Sequence, residues 1–169
     1  MFILIAGTSG SGKSLRAEER LSEFNSSNKI YIATAKIYDD EMSARVKKHQ
    51  AMRRNKGFIT IERPLDLGAI EIPEDSSVLV EALTTWLANE MFEGVGDSAA
   101  EKILADVHSL KAKSKNLILV ADDIFSDGVV YDELTERYRK TLAGLMITFA
   151  AEADEAIECV AGVYTQLKE

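Results

Sequence analysis

The stretch Gly7-Thr8-Ser9-Gly10-Ser11-Gly12-Lys13-Ser14 constrains this chain more than any other. It reads G-x-x-x-x-G-K-S, the spacing of a phosphate-binding P-loop. An apolar run of strand type, Phe2-Ile3-Leu4-Ile5-Ala6, precedes it, and a helical pattern with Leu15, Ala17 and Leu21 follows. The chemistry needs that frame. Glycines let the backbone curl so that successive N–H groups point at phosphate oxygens, and the helix N-terminus adds partial positive charge. In such a loop Lys13 reaches the β- and γ-phosphates and the Ser14 hydroxyl ligates Mg²⁺. The bland alternative is a Gly/Ser-rich turn without a ligand, and the complete motif between strand and helix weighs against it. The expected ligand is a nucleoside triphosphate, GTP or ATP, with Mg²⁺.

A length of 169 residues suits one domain, residues 1–169, with one sizeable core. The formal charge of -8 argues against a nucleic-acid partner or an anionic membrane surface, although residues 45–56 are locally basic. No apolar run approaches the roughly 18 residues that a membrane span needs, and the first strand begins at once, leaving no room for a signal peptide. The lone Cys159 cannot form an internal disulfide, so a reducing, cytoplasmic location is expected. It lies in an alternating apolar run and reads as a core residue.

Along the chain, Ile30-Tyr31-Ile32-Ala33 is a second strand, and Thr34-Ala35-Lys36 should leave it on the same sheet edge as the P-loop. Asp39-Asp40 then opens a long helix. Phe58-Ile59-Thr60-Ile61-Glu62 is a third strand stopped by Arg63-Pro64, and residues 65–70 read as a short helix. A fourth strand ends at Glu81, and helices follow over 83–92 and from a Ser98 cap to about Lys113. His108 reads as a half-exposed helix residue rather than a ligand. A fifth strand ends in Asp122-Asp123, Asp132 caps a long helix through Ala151, and residues 157–167 close the chain as strand, Gly turn, strand. The apolar set of that last helix, which includes Leu134, Leu142, Leu145 and Phe149, is core or subunit contact. The alternation predicts an α/β, three-layer P-loop (RecA-like) fold, its sheet mostly parallel with a C-terminal antiparallel edge hairpin.

Two questions stay open on spacing alone. Glu81 competes with Asp122 and Asp123 as the carboxylate near Mg²⁺. Glu41, Arg45, His49 and Arg53 recur every fourth residue and share one helix ridge, which is either a solvated salt-bridge face or an active ridge.

Several stretches together resemble the adenosylcobinamide kinase/adenosylcobinamide-phosphate guanylyltransferases of cobalamin biosynthesis. These are the P-loop, Tyr31-Ile32-Ala33-Thr34-Ala35, Asp39-Asp40-Glu41-Met42 with Arg45, His49 and Arg53, Glu62-Arg63-Pro64-Leu65-Asp66-Leu67, and Glu81 through Thr84 and Trp86 to Asn89. The resemblance implies a bifunctional enzyme that phosphorylates the aminopropanol hydroxyl of adenosylcobinamide. It then passes GMP from GTP through a covalent histidine, here His49, to give adenosylcobinamide-GDP. Neutral imidazole suits that role as nucleophile and leaving group, and Arg45 and Arg53 could neutralise the transferring phosphoryl group. The family further implies nucleotide contacts from Ala33, Thr34, Ala35, Gln50, Ala51, Met52, Arg53, Glu62 and Glu81, which favours Glu81 over Asp122 for Mg²⁺, and a homotrimer.

The later half departs from the family pattern. Where the family usually has N-E-V-G-x-G-I-V-P, this chain reads Asp122-Asp123-Ile124-Phe125-Ser126-Asp127-Gly128-Val129-Val130-Tyr131, and a usual asparagine falls at Ile147. These departures spare the nucleotide motifs and bear on whether corrinoid recognition, or one of the two activities, is kept. A diverged small-molecule kinase without guanylyl transfer and a non-catalytic nucleotide-binding module are the alternatives.

Overall fold

The computed structural model describes residues 1–36 and 56–169. The expected helix over 39–53, with Arg45, His49, Gln50, Ala51, Met52 and Arg53, lies outside the described residues. Strand β1 (Phe2–Gly7) runs through the P-loop into α1 (Lys13–Glu23), followed by β2 (Asn28–Ala33), β3 (Ile59–Glu62) and β4 (Ser76–Glu81). Helices α2 (Leu83–Phe92) and α3 (Ala99–Lys113) precede β5 (Asn116–Asp122), and α4 (Glu133–Glu152) leads into β6 (Glu155–Val160) and β7 (Val163–Lys168).

The strands form one sheet in the order β3-β2-β4-β5-β1-β6-β7. All neighbours pair in parallel except β6 and β7, which are antiparallel. The expected edge hairpin is therefore present. Its turn, Ala161-Gly162, has positive φ at both residues (48° and 79°), the two-residue geometry whose twist matches a hairpin. Strand alternation splits the core between the two faces. Phe2, Leu4, Ile30, Ile32, Val78, Val80, Leu117 and Leu119 pack under α2, α3 and α4. Ile3, Ile5, Tyr31, Leu79, Ile118 and Val120 pack with Ala17 and Leu21 of α1. Burial on both faces explains why the central strands read as nearly continuous apolar runs.

Cys159 is buried in the α1-side core as expected, and burial pushes its thiol pKa up. His108 is half exposed on α3 and lies 2.9 Å from Glu152. In α4, Leu142, Leu145 and Phe149 are core, whereas Leu134 is exposed. Asp132 caps α4 by accepting from the Thr135 amide at 3.0 Å. Residues 65–70, expected as a short helix, hold a single 3₁₀ turn, Leu67–Ala69. One local expectation needs correction. Ser98 occupies the N-cap position of α3 but its side chain caps nothing, because a 3₁₀ turn, Gly96–Ser98, runs directly into the helix.

Candidate active site

The parallel strands bring their carboxyl ends to one edge, where α/β folds bind ligands. Gly7 of β1 lies opposite Asp122 of β5, and Ala33 of β2 lies opposite both Glu62 of β3 and Glu81 of β4. The P-loop rises from this edge. Gly12 closes it in the left-handed region (φ 92°), a conformation that favours glycine, and no side chain caps α1 behind it. The first-turn amides of α1 are thus available to an anion.

Gly7 answers a different need. A Cβ there would sit 2.5 Å from the Cys159 carbonyl oxygen and 2.5 Å from Ser11 Oγ. The loop is thereby pressed against β6, and the Gly162 amide donates to the Ser11 carbonyl at 2.9 Å. Gly7→Ala is expected to destabilise the protein by about 1–3 kcal/mol, the usual cost of overpacking. Chemical denaturation checks this, and an unchanged midpoint would show that β6 yields freely.

The two competing acids have separate partners. Ser14 Oγ donates to one oxygen of Glu81, and the Tyr31 hydroxyl donates to the other at 2.7 Å. Lys13 Nζ instead pairs with Asp122 at 2.7 Å and donates to the Thr8 carbonyl at 3.2 Å. Asp122 is held in turn by the Thr84 hydroxyl at 2.6 Å, and the Tyr138 hydroxyl donates to the Thr84 carbonyl at 2.9 Å. Burial, with the nearby Asp122 carboxylate adding to it, pushes the Tyr138 phenol up to about 12, so it remains a neutral donor. A chain of contacts thus runs from the P-loop lysine through β5 and α2 to α4.

The other predicted nucleotide residues lie further along the edge. Ala35 is exposed, and Glu62 sits on the outermost strand of that side. Four strand spacings separate β3 from β1, about 19 Å. Thr34 is fully buried. Its hydroxyl accepts from the Ala82 amide at 2.9 Å and faces the Glu81 and Ala82 carbonyls, so it ties the end of β2 to that of β4. Asn89 donates to the Thr34 and Pro64 carbonyls, and Trp86 is fully buried in the core. The stretch from Glu81 to Asn89 therefore combines one P-loop contact, at Glu81, with Ala82, Thr84, Trp86 and Asn89, which fix the surrounding loops and core. Tyr31 and Thr84 belong to the motif stretches and Tyr138 to the apolar set of α4, but nothing in the sequence assigned a role at the site to any of the three hydroxyls. Tyr31 could have been found from strand parity, since it sits two residues before Ala33, which lies opposite Glu81.

A model of the cobinamide kinase/cobinamide phosphate guanyltransferase family matches residues 3–167. The chain belongs to this family. It is 31% identical to the bifunctional adenosylcobalamin biosynthesis protein CobU of Escherichia coli (strain K12), covering 99% of this chain and 100% of that protein. It is 33% identical to the bifunctional adenosylcobalamin biosynthesis protein CobP of Pseudomonas aeruginosa, covering 98% of this chain and 96% of that protein. Among solved structures, the flagellar accessory protein FlaH from Methanocaldococcus jannaschii superposes with a TM-score of 0.54 at 13% identity, covering 99% of this chain and 77% of that one. That likeness concerns the fold alone. In this member of the cobinamide kinase family, no helix among the described residues is long and apolar enough to cross a membrane.

Proposed function

We propose that the protein is a bifunctional adenosylcobinamide kinase and adenosylcobinamide-phosphate guanylyltransferase, acting as one P-loop domain over residues 1–169. The carrying observation is the near full-length family match, joined to a P-loop whose lysine and serine each meet a strand-end carboxylate. In the first step, the acceptor's hydroxyl oxygen bonds to the γ-phosphorus as the bond to the nucleoside diphosphate breaks, and the hydroxyl proton is released. The work of the P-loop is positioning and charge stabilisation, with Lys13 moving from Asp122 to the phosphates. In the second step, a His49 nitrogen bonds to the α-phosphorus of GTP and pyrophosphate leaves. The phosphate of the acceptor then takes the GMP and frees the imidazole.

Mg²⁺ takes few protein oxygens and relies on water and phosphate for the rest. The Ser14 hydroxyl and Glu81 carboxylate, already in contact, fit that demand. Bound there, Mg²⁺ would neutralise charge on the phosphates. Ala33, Thr34, Ala35, Gln50, Ala51, Met52, Arg53 and Glu62 form the proposed remainder of the nucleotide surface, and Arg45 and Arg53 are the proposed cations for the transfer through His49. A cytoplasmic homotrimer completes the proposal. The exposed Ile147 of α4 and Leu167 of β7, 72% and 65% accessible in the isolated chain, line an apolar groove of about 370 Å³ that association between copies could cover.

The test is turnover with and without adenosylcobinamide. Acceptor-dependent formation of nucleoside diphosphate and of adenosylcobinamide-GDP is expected. Nucleotide binding without acceptor-stimulated turnover would leave only a binding module.

A further inference from the structure

A cavity of about 540 Å³ lies between the stretch that departs from the family pattern and the first half of α4. Its walls include Thr8, Asp123, Ile124, Tyr131, Tyr138 and Arg139. Three observations join it to the P-loop. Thr8 belongs to the loop, and its carbonyl already holds the Lys13 ammonium at 3.2 Å. The Asp123 amide donates to the Gly7 carbonyl at 3.0 Å, so the cavity wall is anchored at the root of the loop. Tyr138 reaches Lys13 through Thr84 and Asp122. The cavity therefore lies beside Thr8, the loop residue whose carbonyl holds the Lys13 ammonium. An acceptor must meet the γ-phosphorus in line with the departing diphosphate.

The lining also restricts what can enter. Arg139 is the cation among the described lining residues, and its charge is already engaged. It pairs with Glu136 at 2.7 Å, approaches Asp127 at 3.9 Å, and stacks over the Tyr131 ring at 5.0 Å. Asp127 is further fixed by the Tyr131 hydroxyl at 2.5 Å. Asp123 uses its carboxylate to hold its own loop, accepting from the Phe125 amide and the Ser126 hydroxyl. An anionic guest would meet Asp123 and Asp127 without a cation to spare. A neutral guest would find two phenol rings, Ile124 and the hydroxyls of Ser126 and Thr135. A volume of this size admits a ligand of modest size or one arm of a larger molecule.

We infer that this cavity is the seat of the phosphoryl acceptor, and that it takes an uncharged, hydroxyl-bearing arm. The inference rests on the kinase reading above and adds to it the acceptor's place and the residues that line it. The stretch from Asp123 to Tyr131 is then a specificity-determining wall, which gives its departure from the family pattern a functional setting.

The experiment compares wild type with Ser126→Trp, which intrudes from the loop, and Thr135→Phe, which intrudes from α4. The KM for adenosylcobinamide is expected to rise at least tenfold in each, while affinity for GTP changes less than twofold. An unchanged acceptor KM in a variant that binds GTP normally overturns the inference. A measurement on the unsubstituted protein stands beside it. With a non-hydrolysable GTP analogue bound, adding adenosylcobinamide should slow amide exchange across residues 124–131 at least threefold. No slowing there overturns the inference even if both variants fail to fold. Absence of acceptor-dependent turnover in the wild type would instead overturn the kinase reading, so the two failures are distinguishable.

Discussion

His49→Ala abolishes the covalent GMP label and lowers guanylyl transfer by on the order of 10⁴-fold or more, the scale seen when a covalent nucleophile is removed. The expectation follows from the chemistry of a two-step transfer. Without an imidazole nitrogen there is no atom to carry GMP between pyrophosphate departure and acceptor attack, and direct transfer has no other route. Incubation with α-labelled GTP followed by acid and base treatment measures it. The wild-type label should be acid-labile and base-stable, as a phosphoramidate is, and the variant should carry none. Phosphorylation of adenosylcobinamide should persist in the variant, because that step uses the P-loop. Equal labelling of both proteins would end the role given to His49.

Lys13→Ala weakens GTP binding by on the order of 100- to 1,000-fold, the equivalent of about 3–4 kcal/mol. The ammonium is the charge that the P-loop offers to the terminal phosphates, and charge-assisted contacts are the strong ones. The substitution also leaves Asp122 without its cation. That carboxylate keeps the Thr84 hydroxyl and is 29% accessible, so the loss of stability should fall well below the 3–5 kcal/mol of a fully buried broken pair. Calorimetric titration and thermal melting separate the two effects. Tight binding retained by a well-folded variant would show that backbone amides alone hold the phosphates.

Much of this site was legible in the chain because P-loop chemistry is local. The glycines, Lys13 and Ser14 fall within eight consecutive residues, and the flanking strand and helix announce themselves by pattern. The final hairpin was equally readable from its Gly turn. The Ser98 side-chain cap is absent because an adjoining 3₁₀ turn overrides single-residue preference. The choice between Glu81 and Asp122 was not readable from spacing, since both are acids at the ends of apolar strands. The resemblance named Glu81 for Mg²⁺, and the structure adds that Ser14 and Lys13 meet different acids.

By itself the sequence determined that this chain binds its strands into a mostly parallel sheet and presents a phosphate-cradling loop, because periodicity and contiguous motifs act over a few residues. Only the tertiary structure decided which acid meets Ser14, which meets Lys13, and that Thr84 and Tyr138 link them to α4. Those contacts join residues 67, 109, 38 and 54 positions apart, and groups so distant meet only after strand order and register are set. The cavity beside the loop belongs to the same class. No stretch of sequence encloses a space, and this one exists because the Asp123–Tyr131 stretch and the first half of α4 come together beside Thr8 of the P-loop.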